Sequence, residues 1–430
     1  MRTARCLLAA PALLCSLATP SLAWSQSACR TGEWSTPRMV WRAFDDSASM
    51  HPNDLAADST QLVIASEPAS PDDAQRLAVT PLAIRFDLLA GGSSVFHRPS
   101  RRMSYSGLRV LLDARGVAHL FWSEQGGVTV DDTTGGHRAT QIWTSQLTED
   151  SLTPATLIYA SREVRWDDSE SFRGLGVDRA GRIHLVVPVS QNVSDRPLVH
   201  LVRVGDRWTV SRPDLGRRFL PTDVALVISR TSLHVVFTSP DPDVKSFSAG
   251  AVFHVRQSLN DTQWSPVTQV RGVESMPARK PRIDITPAAE LRVFWLEQTD
   301  PEDLFTSRVV GAAESSDGGT SFVRRESFTS SYVIRSPLHV RTDACGVSYL
   351  QLLAGAPGDQ DTHHVLEWRE AGWVERPVVR HDFEYLGRTR FSLGSPNLLT
   401  RVWSSGLYGP GLPTVLMWFA SHQRLAVPDR

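Results

Sequence analysis

The sequence predicts an all-β fold: a β-propeller of four-stranded antiparallel blades, seven in number with six as the alternative, closed by the N-terminal strand. Three observations predict it. A strand–turn–strand pattern recurs along the chain. Two further short strands follow each copy. The last copy lacks a fourth strand, and the N-terminus can supply one.

The recurring pattern is a short apolar strand, a tight turn with Asp or Gly, and a second strand ending in bulky residues. It is clearest over residues 108–122 and 175–187, with weaker copies over 224–237, 282–295, 338–350 and 391–403. The faintest copy, residues 58–66, comes first. The spacing of roughly 50–65 residues matches the period of a propeller blade. After a polar loop comes a third strand, as in Gln141–Ser145, Leu198–Val202, Val252–Val255 and His364–Trp368. An aromatic (Trp208, Trp264, Phe322 or Trp373) then opens a fourth. Short strands with period-two alternation between turn residues fit such a blade, and long helical periodicity is absent.

The seventh unit ends at residues 414–419 and a short tail. Gly32–Val40 resembles Thr262–Val270, a fourth strand, so the N-terminal segment is expected to complete the last blade. Closing the ring removes exposed strand edges.

Arg2 and Arg5, the apolar run Cys6–Leu17 and Ser21-Leu22-Ala23 read as a cleaved signal peptide over residues 1–23. An unprocessed amphipathic N-terminus is the alternative. Residues 24–430 then form a single domain, secreted or periplasmic. No later stretch approaches the ~18 apolar residues of a membrane span. Cleavage leaves Cys29 and Cys345, which either pair across a long loop or stay apart as buried thiols. No Cys or His spacing suggests a metal, and no cofactor is expected. A net charge of −1 gives no field toward nucleic acid. An anionic glycan or an extracellular protein remains as the partner, with the chain a monomer.

Ser315-Ser-Asp-Gly-Gly-Thr-Ser-Phe322 resembles the Asp-box (BNR repeat), Ser-x-Asp-x-Gly-x-Thr-Trp, of sialidase-like propellers. Ser315, Asp317 and Gly319 match, while Ser321 and Phe322 replace Thr and Trp. The resemblance implies a sialidase-like scaffold with this motif as a structural turn between third and fourth strands, away from the active face. The family's catalytic set is three arginines, a Tyr–Glu pair and an Asp. Phe172-Arg173-Gly174-Leu175 sits where the first arginine would enter but lacks the following Ile-Pro. No catalytic residue is assigned by motif.

A ligand site is expected where the loops before each first strand converge near the axis. Those loops offer Arg102 and Tyr105, Arg173, Arg282, Tyr332 and Arg335, and Tyr385, Arg388 and Arg390. Converging guanidinium groups bind carboxylate or sulfate bidentately, and aromatics suit sugar faces. Solvated loops with locally paired charges account for the same residues without a ligand. His119, His184 and His234 recur at one strand position, which makes them repeat residues before ligands.

The leading functional expectation is a recognition module for an anionic glycan or extracellular partner. The alternatives are a carbohydrate-active enzyme and a protein-interaction platform of the cell envelope. The enzyme would be a divergent sialidase-like hydrolase or a lyase on uronate-containing chains. For a lyase, His381, Tyr385 and Arg388 form the nearest Arg–Tyr–His grouping.

Overall fold

The computed structural model describes residues 38–42, 50–58, 61–68, 79–87, 93–99, 105–125, 140–161, 172–188, 198–215, 219–240, 250–272, 277–299, 307–334, 339–343, 345–355, 362–369, 372–376, 385–393, 398–407 and 415–424. Among these, all named elements are strands. Strand β1 is Arg38–Arg42. Blade 1 holds β2 (Met50–Ala57), β3 (Gln61–Pro68), β4 (Val79–Asp87) and β5 (Ser93–Pro99). Blade 2 holds β6 (Tyr105–Leu112), β7 (Ala118–Gln125), β8 (Thr140–Leu147) and β9 (Thr156–Ser161). After the short β10 (Phe172–Arg173), blade 3 holds β11 (Leu175–Val177), β12 (Ile183–Pro188), β13 (Leu198–Val204) and β14 (Arg207–Ser211). Blade 4 holds β15 (Val224–Ile228), β16 (Ser232–Pro240), β17 (Gly250–Ser258) and β18 (Thr268–Arg271). Blade 5 holds β19 (Ala278–Ile285), β20 (Leu291–Gln298), β21 (Ser307–Ser315) and β22 (Val323–Ile334). Blade 6 holds β23 (His339–Thr342), β24 (Ser348–Gly355), β25 (Thr362–Arg369) and β26 (Gly372–Arg376). Blade 7 holds β27 (Tyr385–Leu393), β28 (Leu398–Leu407) and β29 (Val415–Arg424).

These strands form six hydrogen-bonded sheets, because β22 also pairs with β24 and fuses blades 5 and 6 into one eight-stranded sheet. The innermost strands β2, β6, β11, β15, β19, β23 and β27 touch one another in that order, and β27 returns to β2. The β-propeller ring is therefore closed. Its last blade is completed by β1, antiparallel to β29 with Arg38 opposite Ala420 and Arg42 opposite Met417. The N-terminal strand thus does what the sequence pattern requires of it.

The core lies between blades. Leu120 and Trp122 of β7 pack toward blade 1 with Val63 and Ala65, whereas the intervening Phe121 packs toward blade 3 with Leu185 and Val199. Val235 and Phe237 of β16 likewise face blade 3, and Val236 faces blade 5. Both faces of a middle strand are buried, so β12 is buried along its whole length. Period-two alternation, expected from the sequence, is weakest in these strands for that reason.

Turns between first and second strands repeat one device. Asp113 Oδ1 accepts the N–H of Arg115 at 2.9 Å and of Val117 at 3.0 Å. Asp178 does the same for Ala180 and Arg182, and Asp343 for Cys345 and Val347. The fourth residue is Gly116, Gly181 or Gly346, at φ of 78°, 76° and 75°, where a Cβ is disfavoured. Arginines cross from blade to blade beside these turns. Arg85 donates to Thr148 O at 2.7 Å, Arg182 to Leu259 O at 3.1 Å and Arg256 to Gly318 O at 2.9 Å. Arg292 reaches Gly346 O and Ser348 Oγ of blade 6.

Candidate functional site: a cationic axial cavity

The position four residues before the turn residue of the first strand lines the axis in five blades, all but blade 3 of the six compared. Reading round the ring from blade 1, it holds Asp54, Arg109, Gly174, Ala225, Arg282 and His339. Pairing slips between Pro52 and Asp54, between Ser106 and Arg109 and between Arg279 and Arg282, placing a bulge just before three of these residues. Bulges re-aim a side chain, and here they come just before Asp54 and the two arginines, which line the axial cavity.

The cavity, ≈ 240 Å³, is lined by Asp54, Arg109, Arg282, His339 and Arg341 among Leu55, Leu175, Leu226, Ile283 and Val340. Arg109 and Arg282 are 4% and 5% exposed. Each arginine donates Nη1 to the carbonyl just before it: Leu108 O at 3.0 Å, Pro281 O at 2.7 Å and Val340 O at 3.1 Å. That bond pins the guanidinium against its own strand.

Carboxylates join neighbouring inner strands. Asp54 Oδ2 accepts the N–H of Val110 at 3.0 Å, Asp223 Oδ2 that of Lys280 at 3.3 Å, and Asp284 Oδ2 that of Thr342 at 2.5 Å. Burial pushes the Asp284 carboxyl up, against the lowering pull of Arg341. Lys280 is held at φ 51°, uncommon for a residue with a side chain. Three arginines and His339 thus stand on the cavity wall beside Asp54.

Of the residues expected to bind ligand, Arg282 stands on this wall. Tyr105, Arg173, Tyr385, Arg388 and Arg390 belong to strands β6, β10 and β27 rather than to loops, and their side chains lie outside the described residues. β10 runs parallel to β15, with Arg173 opposite Ala225. Arg102, Arg335, His381 and Cys29 also lie outside the described residues, as do residues 1–23. Tyr332 is a correction. It sits in β22, the outermost strand of its blade, 38% exposed, its ring 5.1 Å from that of His364. A fourth strand longer than expected carries it away from the axis.

Arg109, Arg341 and His339 were missed by reading loops. Counting back from the turn residue, which aligns Arg109 with Arg282 and His339, would have found two of them.

The 315–322 segment is the turn between β21 and β22. Asp317 Oδ1 accepts from Ser315 Oγ at 2.7 Å, Thr320 N at 2.9 Å and Ser321 N at 3.0 Å, and Oδ2 accepts from Ser321 Oγ at 2.6 Å. Those bonds, led by Ser321, hold its carboxyl far below the usual range. Phe322 packs edge-on to His254 of blade 4 at 5.2 Å. Antiparallel pairing puts this turn on the face opposite the loops that enter the first strands. His119, His184 and His234 are buried at one register of their second strands, as their periodicity implies, and no group of three metal-ligating side chains occurs among the described residues.

No family model and no curated protein matches the chain. Solved structures do. A polysaccharide lyase of family PL25, an ulvan lyase bound to -[GlcA(1-4)Rha3S]-, shares 9% identity at a TM-score of 0.59, covering 89% of this chain and 95% of that one. The polysaccharide lyase Uly1 shares 10% at 0.50, covering 90% and 92%. The Trypanosoma rangeli sialidase in complex with sialic acid shares 10% at 0.45, covering 92% and 57%. At these identities the likeness is one of fold alone, a β-propeller.

Proposed function

We propose that this protein acts on an acidic polysaccharide, as a lyase of uronate-containing chains that takes the anionic sugar at the mouth of the axial cavity. The observation that carries the reading is the gathering of Arg109, Arg282 and Arg341 with His339 on one cavity wall. The fold likeness to two polysaccharide lyases supports this enzymatic expectation over the recognition module. In such a reaction guanidinium groups neutralise the uronate carboxylate and acidify the proton on the adjacent carbon. A base takes that proton, the electron pair forms a carbon–carbon double bond, and the glycosidic oxygen leaves with a proton from an acid. His339 lines the cavity as a candidate base, and His381 and Tyr385 are candidates from the sequence.

The same reading treats residues 1–23 as a secretion signal, pairs Cys29 with Cys345, and takes residues 315–322 as an Asp-box. Arg102, Tyr105, Arg173, Arg335, Tyr385, Arg388 and Arg390 would surround the mouth. Its test is incubation of the protein starting at Trp24 with acidic polysaccharides, including an alternating glucuronate and sulfated-rhamnose polymer. Ultraviolet absorbance from unsaturated uronate ends is the expected result. Binding without new absorbance would return the chain to a recognition module, and neither binding nor cleavage would sink the carbohydrate reading.

A further inference from the structure

Among the described residues, five buried histidines run through the arc from blade 2 to blade 5. His119 lies between Asp113 Oδ2, 3.2 Å from its Nε2, and Arg203 of blade 3, whose Nη1 is 3.1 Å from its Nδ1. A guanidinium only donates, so Nδ1 presents a lone pair and Nε2 carries the proton. In blade 3, Asp178 Oδ2 is 3.3 Å from His184 Nε2, and His184 Nδ1 is 3.1 Å from His200 Nε2. The carboxylate sets the direction: His184 donates to it and accepts from His200. The two rings stack within 13°, and Trp264 of blade 4 stands edge-on to His200 at 5.4 Å.

Blade 4 repeats the pair. His234 Nδ1 is 3.1 Å from His254 Nε2, with the rings 22° apart. Phe322 of blade 5 covers His254, and Gly319 of the same turn approaches so closely that a Cβ there would lie 2.2 Å from His254 Cε1. One proton serves each of these contacts. Protons on both facing nitrogens of the His184–His200 or the His234–His254 pair would set two N–H groups head to head. On His119 a second proton would oppose the Arg203 guanidinium.

The other charges facing these rings are Asp113 and Arg115 at His119, and Asp178 and Arg182 at His184. Arg256 faces His234, and Arg256 and Asp317 face His254. Burial lowers all five histidines, to about 3 for His200, about 4 for His234 and about 3 for His254.

We propose that the arc from blade 2 to blade 5 is an acid-operated interlock, in which proton uptake by these histidines parts blade 2 from blade 3 at Arg203 and forces apart the paired second and third strands of blades 3 and 4, whose rings the next blade covers. The histidines stand beside the turns on the face opposite the loops that lead into the cavity, so the ring wall loosens there first. The proposal is independent of what the cavity binds.

The test is histidine proton and carbon NMR from about pH 7 to about pH 3, with amide hydrogen exchange, corrected for its intrinsic dependence on pH, followed over the same range. The five rings should stay neutral below the ordinary value of 6.5, and exchange in β12, β13, β16 and β17 should rise about tenfold or more as they gain protons. Independent titration near 6.5 with unchanged exchange would overturn the proposal. Replacing His184→Gln and His200→Gln together keeps a donor–acceptor pair and removes the titration. Acid exchange in β12 and β13 should then move to lower pH while β16 and β17 keep theirs; an unmoved onset would also overturn it. Should that variant not fold, the wild-type titration decides.

Discussion

Gly319 ties one turn to the neighbouring blade. It is held at φ 85°, and an added Cβ would meet the His254 ring at 2.2 Å. Gly181 has a similar φ of 76° but nothing within 4 Å of the same position. Gly181→Ala should therefore cost about 1 kcal/mol, the left-handed penalty alone. Gly319→Ala should cost about 2–4 kcal/mol, because overpacking against a buried ring adds to it. Urea unfolding of the two variants checks the difference. Arginine was the residue type least legible in the sequence. Arg182, Arg256 and Arg292 are spent on carbonyls of the next blade, so a guanidinium near a loop did not by itself mark a ligand site.

At the scale of the element, the first turn of each blade carries the repeat. In blade 5 that turn uses Thr286 where blades 2, 3 and 6 use Asp, and Ala289 at φ 66° where they use Gly. Ala289→Gly should stabilise the protein by about 0.5 kcal/mol, the αL relief less the entropy that glycine adds to the unfolded chain. Thermal melting would show a small rise in Tm; a fall would mean that the Ala289 side chain contributes packing. The turns and second strands were readable because Asp, Gly and a bulky apolar run each answer a local demand. The fourth strands were readable from the aromatics that open them, but the length of the one in blade 5 was not. β22 runs through Tyr332 to Ile334, where it pairs with β24 of the next blade, and no turn residue announces that extension.

For the molecule as a whole, closure depends on β1. Removing residues through Arg42 exposes the β29 edge and should lower Tm and promote self-association, measurable by calorimetry and size-exclusion chromatography. Acidity should act on the same ring. The five buried histidines of blades 2 to 4 have folded pKa values below the ordinary 6.5, so the unfolded chain binds protons first. Their stabilisation is complete above that value and is lost as pH falls toward about 4 and about 3. Asp284 and Asp343 are raised by burial and act in the opposite sense, gaining stability as they protonate. The histidines outnumber them, so urea midpoints should decline from near neutrality into acid. Seven blades and their closing strand were legible in the repeat, since a fixed period needs no knowledge of the partner surfaces. The axial cavity was not, because it is assembled from a few residues of each of several first strands far apart in the chain.

The most direct measurement on the axial site is a calorimetric titration of a soluble uronate oligosaccharide into wild-type protein and into Arg282→Ala, at two salt concentrations. A lost charged hydrogen bond is worth about 1.5–3 kcal/mol. The variant should therefore bind roughly ten- to a hundredfold more weakly, with unchanged circular dichroism, and added salt should weaken the wild type more than the variant. Equal affinity of the two proteins, insensitive to salt, would contradict an anion site on the axis.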